Sequence, residues 1–416
     1  MLEKIEQANA KALQIINDAQ PTLVDVKYAY EVFPGFDKKT ILHAGPPIQW
    51  EDMCGPMKGA VLGAIRYEGL ADTEEEAEKL VINGEIKFSP NHHWGAVGPM
   101  TGMTTYSMPV FVVKNEAFGN CTYCTINEGL GKVMRFGANN DEVIERLKWL
   151  ERALAPALKK AIALAGGINL KVIAAQALTM GDEMHQRNVA ASSLFLKTII
   201  PYLIQVVEDG EQLLEITEFI AGNEQFFLNL AMAMGKATMD PAYNIPYSTV
   251  VTAMCRNGKN FGIRVSCTGD QWFEAPVEMP KGLYFPGFSA EDANPDMGDS
   301  AIVESFGLGG FCMATAPAVV RFVGAGTFQD AINYSKQMYE ITVGKSTHYI
   351  LPNLDFEGTP TGIDVIKVVD KGIAPVINTG IAHKEPGVGQ VGAGVVNAPM
   401  GCFEKALVAI GEKLNL

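Results

Sequence analysis

The segment Asn378-Thr379-Gly380-Ile381-Ala382-His383-Lys384-Glu385 sets a base, a cation and a carboxylate side by side just after an apolar run. At the end of a buried strand such a cluster can accept a proton, hold an anion and orient both. As a solvated turn it would be an ion pair only. Asp182-Glu183-Met184-His185-Gln186-Arg187-Asn188 offers the same chemistry at the expected start of a helix, where the dipole favours an anion beside Arg187 or is simply complemented by the two acids. His383, His185 and Glu385 are therefore the candidate proton-transfer residues, with Lys384, Arg187 and Asn378 as candidate ligands of an anion.

Other segments could complete such a site. Asn91-His92-His93 lies in a polar stretch before Gly98-Pro99, and its two histidines are candidate substrate contacts; neighbours in sequence point apart, which argues against a shared metal. Lys132 and Arg135 stand among the glycines of 127–137, an anion cradle or the closing turn of a hairpin, and Arg256 precedes the turn Asn257-Gly258. Asn294-Pro295-Asp296-Met297-Gly298-Asp299-Ser300, with Glu304 four residues on, gathers carboxylates where a helix begins. Capping by Asp299 or Ser300 explains it, and Mg²⁺ held by Asp296 and Asp299 is the minority reading. No other metal or cofactor is expected. His43-Ala44-Gly45-Pro46-Pro47 either orients substrate or sets a rigid turn.

Gly387-Val388-Gly389-Gln390-Val391-Gly392 spells the dinucleotide fingerprint, but too little chain follows for a βαβ unit with an acidic ribose ligand. Gly387 and Gly389 are instead expected to bring backbone N–H groups close to an anion. Gly344-Lys345-Ser346 resembles the tail of a phosphate loop by chance, and Cys121 and Cys124, three apart on a strand, should face opposite ways.

Function classes are bounded by charge. The 416 residues carry 33 Lys+Arg against 47 Asp+Glu, a net charge of -14, with no basic run, so nucleic-acid binding is excluded and a small anionic molecule is the expected partner. The acidic start is unlike a signal peptide, no segment offers 18 uninterrupted apolar residues, and seven scattered cysteines fit reduced thiols. A cytoplasmic protein with no membrane partner is expected, forming a homo-oligomer.

The elements that must position these residues are of two kinds. Glycines number 14 in residues 1–139, 6 in 140–245 and 22 in 246–416, which sets a helical middle apart from two richer flanks. In the middle, Val143, Leu147, Leu150, Leu154, Leu158 and Ile162 keep helical spacing from Asn139, with a kink at Pro156; further helices are predicted over 183–207, 211–221 and 224–238. The flanks mix helices at 3–18, 74–82, 300–306, 327–341 and 400–414 with strands at 22–33, 364–369 and 374–379. Hairpins turn at Gly119-Asn120 and Asn257-Gly258. The predicted class is α+β, a mixed α/β fold: an N-terminal α/β domain 1–139, a small all-helical domain or insertion 140–245, and a glycine-rich α/β domain 246–416.

The same segments, HAGPP at 43–47, NHHWGAVGPM at 91–100, NEGLGKVMRFG at 127–137, MGDEMHQRN at 180–188, TAMCRNG at 252–258, NPDMGDSAI at 294–302 and NTGIAHKE at 378–385, resemble the YahG/YlbE-like family over essentially the whole chain. The resemblance implies a cytoplasmic bacterial protein with a small helical domain between two α/β parts. Its YlbE-like branch implies a subunit of oxamate carbamoyltransferase in allantoin breakdown, working with an FdrA-like protein and a third companion. The implied reaction exchanges a carbamoyl group between oxalurate plus phosphate and oxamate plus carbamoyl phosphate. No catalytic residue is carried over, and the Ser-Thr-Arg-Thr phosphate loop of the aspartate and ornithine carbamoyltransferases is absent. That chemistry needs cations, an oxyanion donor and a proton acceptor, for which His383 or His185 would be the base, Lys384, Arg187, Arg135 and Arg256 the anion ligands, and the 387–394 loop a source of N–H groups. A non-catalytic subunit that binds a small acid or serves as scaffold is the alternative.

Overall fold

The structure, a computed structural model, describes residues 1–324 and 326–414. Strands Pro21–Tyr28 and Pro109–Asn115 pair antiparallel, with Cys121–Thr125 on one edge and the short Ile168–Asn169 on the other. Gly119, at φ +80°, turns the chain into Cys121–Thr125, whose alternation leaves Cys121 exposed and Cys124 buried. Helix Phe226–Met239 lies across this sheet with every residue buried. The contact is partly apolar, with the rings of Phe111 and Phe226 6.0 Å apart, and partly polar: Asn115 Nδ2 donates to Ala237 O and Thr122 Oγ1 to Ala233 O. One apolar cluster takes in side chains of this sheet, of the helices in 140–245 and of 302–314.

A second antiparallel sheet runs in the order Met297–Gly298, Val251–Asn257, Asn260–Val265, Phe273–Pro276. Gly258, at φ +78°, supplies the left-handed residue its central hairpin needs. A third has Gln390–Asn397 between Val376–Ala382 and Lys281–Tyr284, and a parallel pair joins Thr40–His43 to Lys87–Pro90. Helices Val365–Lys371 and Met400–Leu414 share a separate apolar cluster with the second sheet. Several small sheets among many helices make the mixed α+β class that the alternation of strand and helix signals predicts.

Local chemistry explains where the elements depart from expectation. Residues 183–188 do not begin a helix; it starts at Val189. Met184 is left-handed at φ +62°, and the Glu183 carboxylate takes the N–H groups of His185 and Arg187 at 3.0 and 2.6 Å, folding the segment around itself. Val365–Lys371 is a helix rather than a strand, because Asp364 accepts from Ile366 N and Gly372, at φ +63°, closes the other end. Asn140, rather than Asn139, caps the helix at Asp141. Pro156 sits in the first turn of Ala155–Ala165, where its missing N–H is harmless, and the irregularity is a π-turn over Leu150–Leu154. Helix Val189–Val206 is long and apolar enough by composition to cross a membrane, although Ser, Lys and Thr break its apolar run. Ala191, Phe195, Ile199 and Leu203, four residues apart, form its buried stripe.

Candidate functional site

Strand Val251–Asn257 is buried on both faces, so neighbouring side chains enter different interiors. Arg256 enters one of them, completely buried. Its Nε lies 2.6 Å from Asp296 Oδ2, Nη2 3.1 Å from Asp296 Oδ1 and 3.1 Å from Thr379 Oγ1, and Nη1 3.0 Å from Gly298 O and 3.1 Å from Ser300 Oγ. All five donors of the guanidinium are thus taken up by the protein itself. Ser300 Oγ is in turn 2.9 Å from His185 Nε2, and His185 Nδ1 is 2.7 Å from Glu304 Oε1. Because the carboxylate can only accept, Nδ1 carries a hydrogen, and in the neutral ring Nε2 accepts from the Ser300 hydroxyl. The result is an acid, base and hydroxyl relay of the kind that activates oxygen nucleophiles.

The N–H groups of Gly310 and Asn378 donate to this same Glu304 oxygen at 3.1 and 3.2 Å and fix it in place. A Cβ on Gly309, which has φ +57°, would run into that carboxylate, so the close approach requires glycine. Asn378 Nδ2 donates to Glu183 Oε2 at 2.7 Å, tying strand Val376–Ala382 to the 182–188 loop. Burial pushes the Glu183 carboxyl above its ordinary range, opposed by His185 and the Arg187 N–H.

On the other side of the same segment, Asp299 accepts from Gly45 N at 2.8 Å, Gly98 N at 2.9 Å and Asn91 Nδ2 at 3.2 Å. His92 Nε2 lies 3.7 Å from Asp299 Oδ1, beyond hydrogen-bonding reach, and neither ring nitrogen has a partner among the described residues. Burial, then the charges of Lys236 and Arg264, hold His92 well below the ordinary histidine range, while burial raises Asp299 to about 7. The contact is therefore not an ion pair at neutral pH. His43 Nε2 and Arg264 Nε and Nη2 are also buried without partners among the described residues, and Arg264 lies 4.4 Å over the Trp272 ring. His92, Cys255 and Asp299 place their donor atoms within 4.8 Å of one another, a group that could hold a metal ion.

Burial lowers His43 from 6.5 to about 4. A depressed folded-state value contributes stability above pH 6.5 that is lost as pH falls through about 4, up to ~3 kcal/mol. Unfolding free energies from urea titration should therefore fall more steeply between pH 6.5 and 4 in the parent than in His43→Asn. Parallel slopes would contradict that account.

The remaining candidates lie elsewhere. His383 is four residues beyond Thr379, just past the end of strand Val376–Ala382, so about 13 Å of extended chain separates the two. Its Nδ1 accepts from Glu385 N at 2.9 Å, and its Nε2 is 3.9 Å from Asp292. Lys384 Nζ donates to Glu291 O. Gly387 and Gly389, at φ +79° and +107°, make the turn into strand Gln390–Asn397, so no helix follows the glycine motif. That turn borders an open groove of about 440 Å³ lined by Lys58, Lys132, Asn139 and Gly387. Arg187 is partly exposed, 3.3 Å from Asp182, and buried Arg135 donates to Gly129 O. His93 is exposed and accepts from Trp272 Nε1. Asp296 is committed to Arg256 and Thr379 while Asp299 faces His92, so the pair does not frame a common Mg²⁺ position.

Ser300 and Glu304 read locally as helix-start residues, and nothing in the sequence around Cys255 or Arg264 marks either. Their partners are distant: 115 residues separate Ser300 from His185, and 119 separate Glu304 from it.

Residues 86–300 match the sequence family described as oxamate carbamoyltransferase subunit AllG, a span containing His92, His185, Cys255, Arg256, Asp299 and Ser300. Oxamate carbamoyltransferase subunit AllG of Escherichia coli K12 is 49% identical over 418 residues, covering 100% of both chains. Uncharacterized protein YahG of the same organism is 48% identical over 416 residues, 100% of this chain and 88% of YahG. The crystal structure of a conserved protein of unknown function from Enterococcus faecalis V583 superposes with a TM-score of 0.97 at 48% identity, covering 99% of this chain and 98% of that one. The resemblance carried by the sequence motifs is borne out over the full length, and the chain belongs to the YahG/AllG family.

Proposed function

We propose that this chain is a subunit of an oxamate carbamoyltransferase, in which His185 handles the proton of carbamoyl transfer. The observation that carries the reading is His185 held at 2.7 Å from Glu304 and 2.9 Å from Ser300, within a chain 49% identical to AllG. In the direction of oxalurate cleavage a phosphate oxygen attacks the carbamoyl carbon, the bond from that carbon to the oxamate nitrogen breaks, and the proton given up by phosphate ends on that nitrogen. Ser300 and His185 form a path for it: the hydroxyl takes the proton as its own passes to Nε2, and the reverse transfer delivers it to the leaving amide. Glu304 keeps the ring in the tautomer that accepts from Ser300 and stabilises the imidazolium. Arg256, with its donors occupied, is a positioning residue for Ser300 rather than an anion ligand.

Ser300 and His185 are only 4% and 2% exposed. Substrate therefore reaches them through a rearrangement, which supports dependence on the FdrA-like and third companion subunits. The chain alone and the reconstituted mixture should be assayed for phosphate-dependent cleavage of oxalurate. Turnover is expected in the mixture only. A mixture that assembles yet releases neither carbamoyl phosphate nor oxamate would overturn the proposal.

A further inference from the structure

We infer that His92, Cys255 and Asp299 bind one divalent transition-metal ion, of the Zn²⁺ class, in the interior of the chain. This goes beyond the carbamoyl-transfer reading and does not depend on it. The three residues come from separate elements: the turn after strand Lys87–Pro90, strand Val251–Asn257, and the residue after strand Met297–Gly298. The fold brings them together and removes all three from solvent.

The first argument is the state of His92. An imidazole with both nitrogens unpaired in a core forfeits the hydrogen bonds it would make in water, a loss that protein interiors rarely leave unmet. A ligand is what such a ring lacks. The second is the fixing of Asp299 by two backbone N–H groups and Asn91, with Oδ1 still turned toward His92. Outer hydrogen bonds that orient a carboxylate this way are what a metal ligand requires. The third is Cys255, whose sulfur makes, among the described residues, a single long hydrogen bond, 3.8 Å to Gly262 O.

Distances and charge agree with a cation. Donors at ~2.0–2.3 Å from tetrahedral Zn²⁺ stand roughly 3.3–3.8 Å apart. The His92 to Asp299 separation of 3.7 Å falls in that range, and no donor pair exceeds 4.8 Å. An incoming M²⁺ would displace the thiol proton to solvent and leave thiolate, carboxylate and neutral imidazole around it, so the charges cancel. The surrounding cations have carboxylates of their own: Arg256 with Asp296, Lys236 with Asp240 and Arg264 with Asp270. A thiolate and an imidazole select Zn²⁺, Co²⁺ or Fe²⁺ over Mg²⁺. An anion in the same place would meet the Asp299 carboxylate.

The test uses untagged full-length protein, with metal content measured by mass spectrometry as isolated and after chelation, followed by titration with Co²⁺. One equivalent of Zn²⁺ as isolated, or saturable uptake of one Co²⁺ with a thiolate-to-cobalt charge-transfer band, is expected. Cys255→Ser should lose the band, His92→Gln should weaken binding at least about tenfold, and Cys54→Ser, which alters a thiol beside Met297, should change neither. Near-ultraviolet circular dichroism establishes that each variant is folded. Absence of metal from the isolated parent together with no saturable Co²⁺ uptake overturns the inference, as does a band that persists in Cys255→Ser. Stabilisation of the metal-free parent by inorganic phosphate but not by Zn²⁺ would instead make this an anion site.

Discussion

Replacing His185 with glutamine is expected to lower kcat of the reconstituted enzyme by about 10²–10⁴-fold, the usual contribution of a positioned acid–base group. Glutamine is near in volume and can still donate to Glu304, so the structural cost is small beside the chemical one. The change removes only the ability to take a proton and return it. A loss confined to kcat, with KM within a few-fold and the subunits still co-eluting, identifies an interaction made in the transition state. Ser300→Ala should fall in the same direction, and the double variant should lose little more than the worse single one, because relay members act as a unit. Parent-like turnover in both single variants would remove the relay from the mechanism.

That relay shows which parts of the site local sequence can reveal. Hairpins at Gly119 and Gly258 follow from turn residues that supply a left-handed φ, and the stripe from Val143 to Ile162 follows from helical spacing. These are rules of near neighbours. His185 and Arg256 stand out because a histidine or arginine among glycines and acids is conspicuous in a short window. Ser300 and Glu304 do not, since a serine and a glutamate at a helix start have a sufficient local explanation in capping. What makes them part of a site is hydrogen bonding across more than a hundred residues. The loop at 182–188 shows the converse: Glu183 looks like a first-turn acid, but its carboxylate gathers successive N–H groups and prevents the helix. His383, Lys384 and Glu385 form a conspicuous trio, yet they follow the end of strand Val376–Ala382, well past Thr379. Cys255 is hidden because its neighbour Arg256 faces the other interior.

Asp296→Ala is expected to destabilise the chain by about 3–5 kcal/mol, the usual cost of leaving a buried charge without its partner. Arg256 is completely enclosed, and Asp296 meets it through two oxygens. No solvent is at hand to take over that charge. Arg256→Met should cost less, because the stranded carboxylate keeps the Thr379 hydroxyl at 2.7 Å and the Met297 N–H at 3.0 Å and can also take a proton. The pair Arg256→Met with Asp296→Leu should recover much of the loss, as apolar replacement of a buried ion pair often does. Urea unfolding of these proteins, with Asp296→Leu alone added to close the cycle, measures this, and a double-mutant coupling near zero would contradict it. Activity should not recover with stability. Ser300 Oγ takes its second hydrogen bond from Arg256 Nη1, and methionine cannot supply it. A stable, assembled double variant with kcat well below the parent would separate what the arginine does for the fold from what it does for the serine.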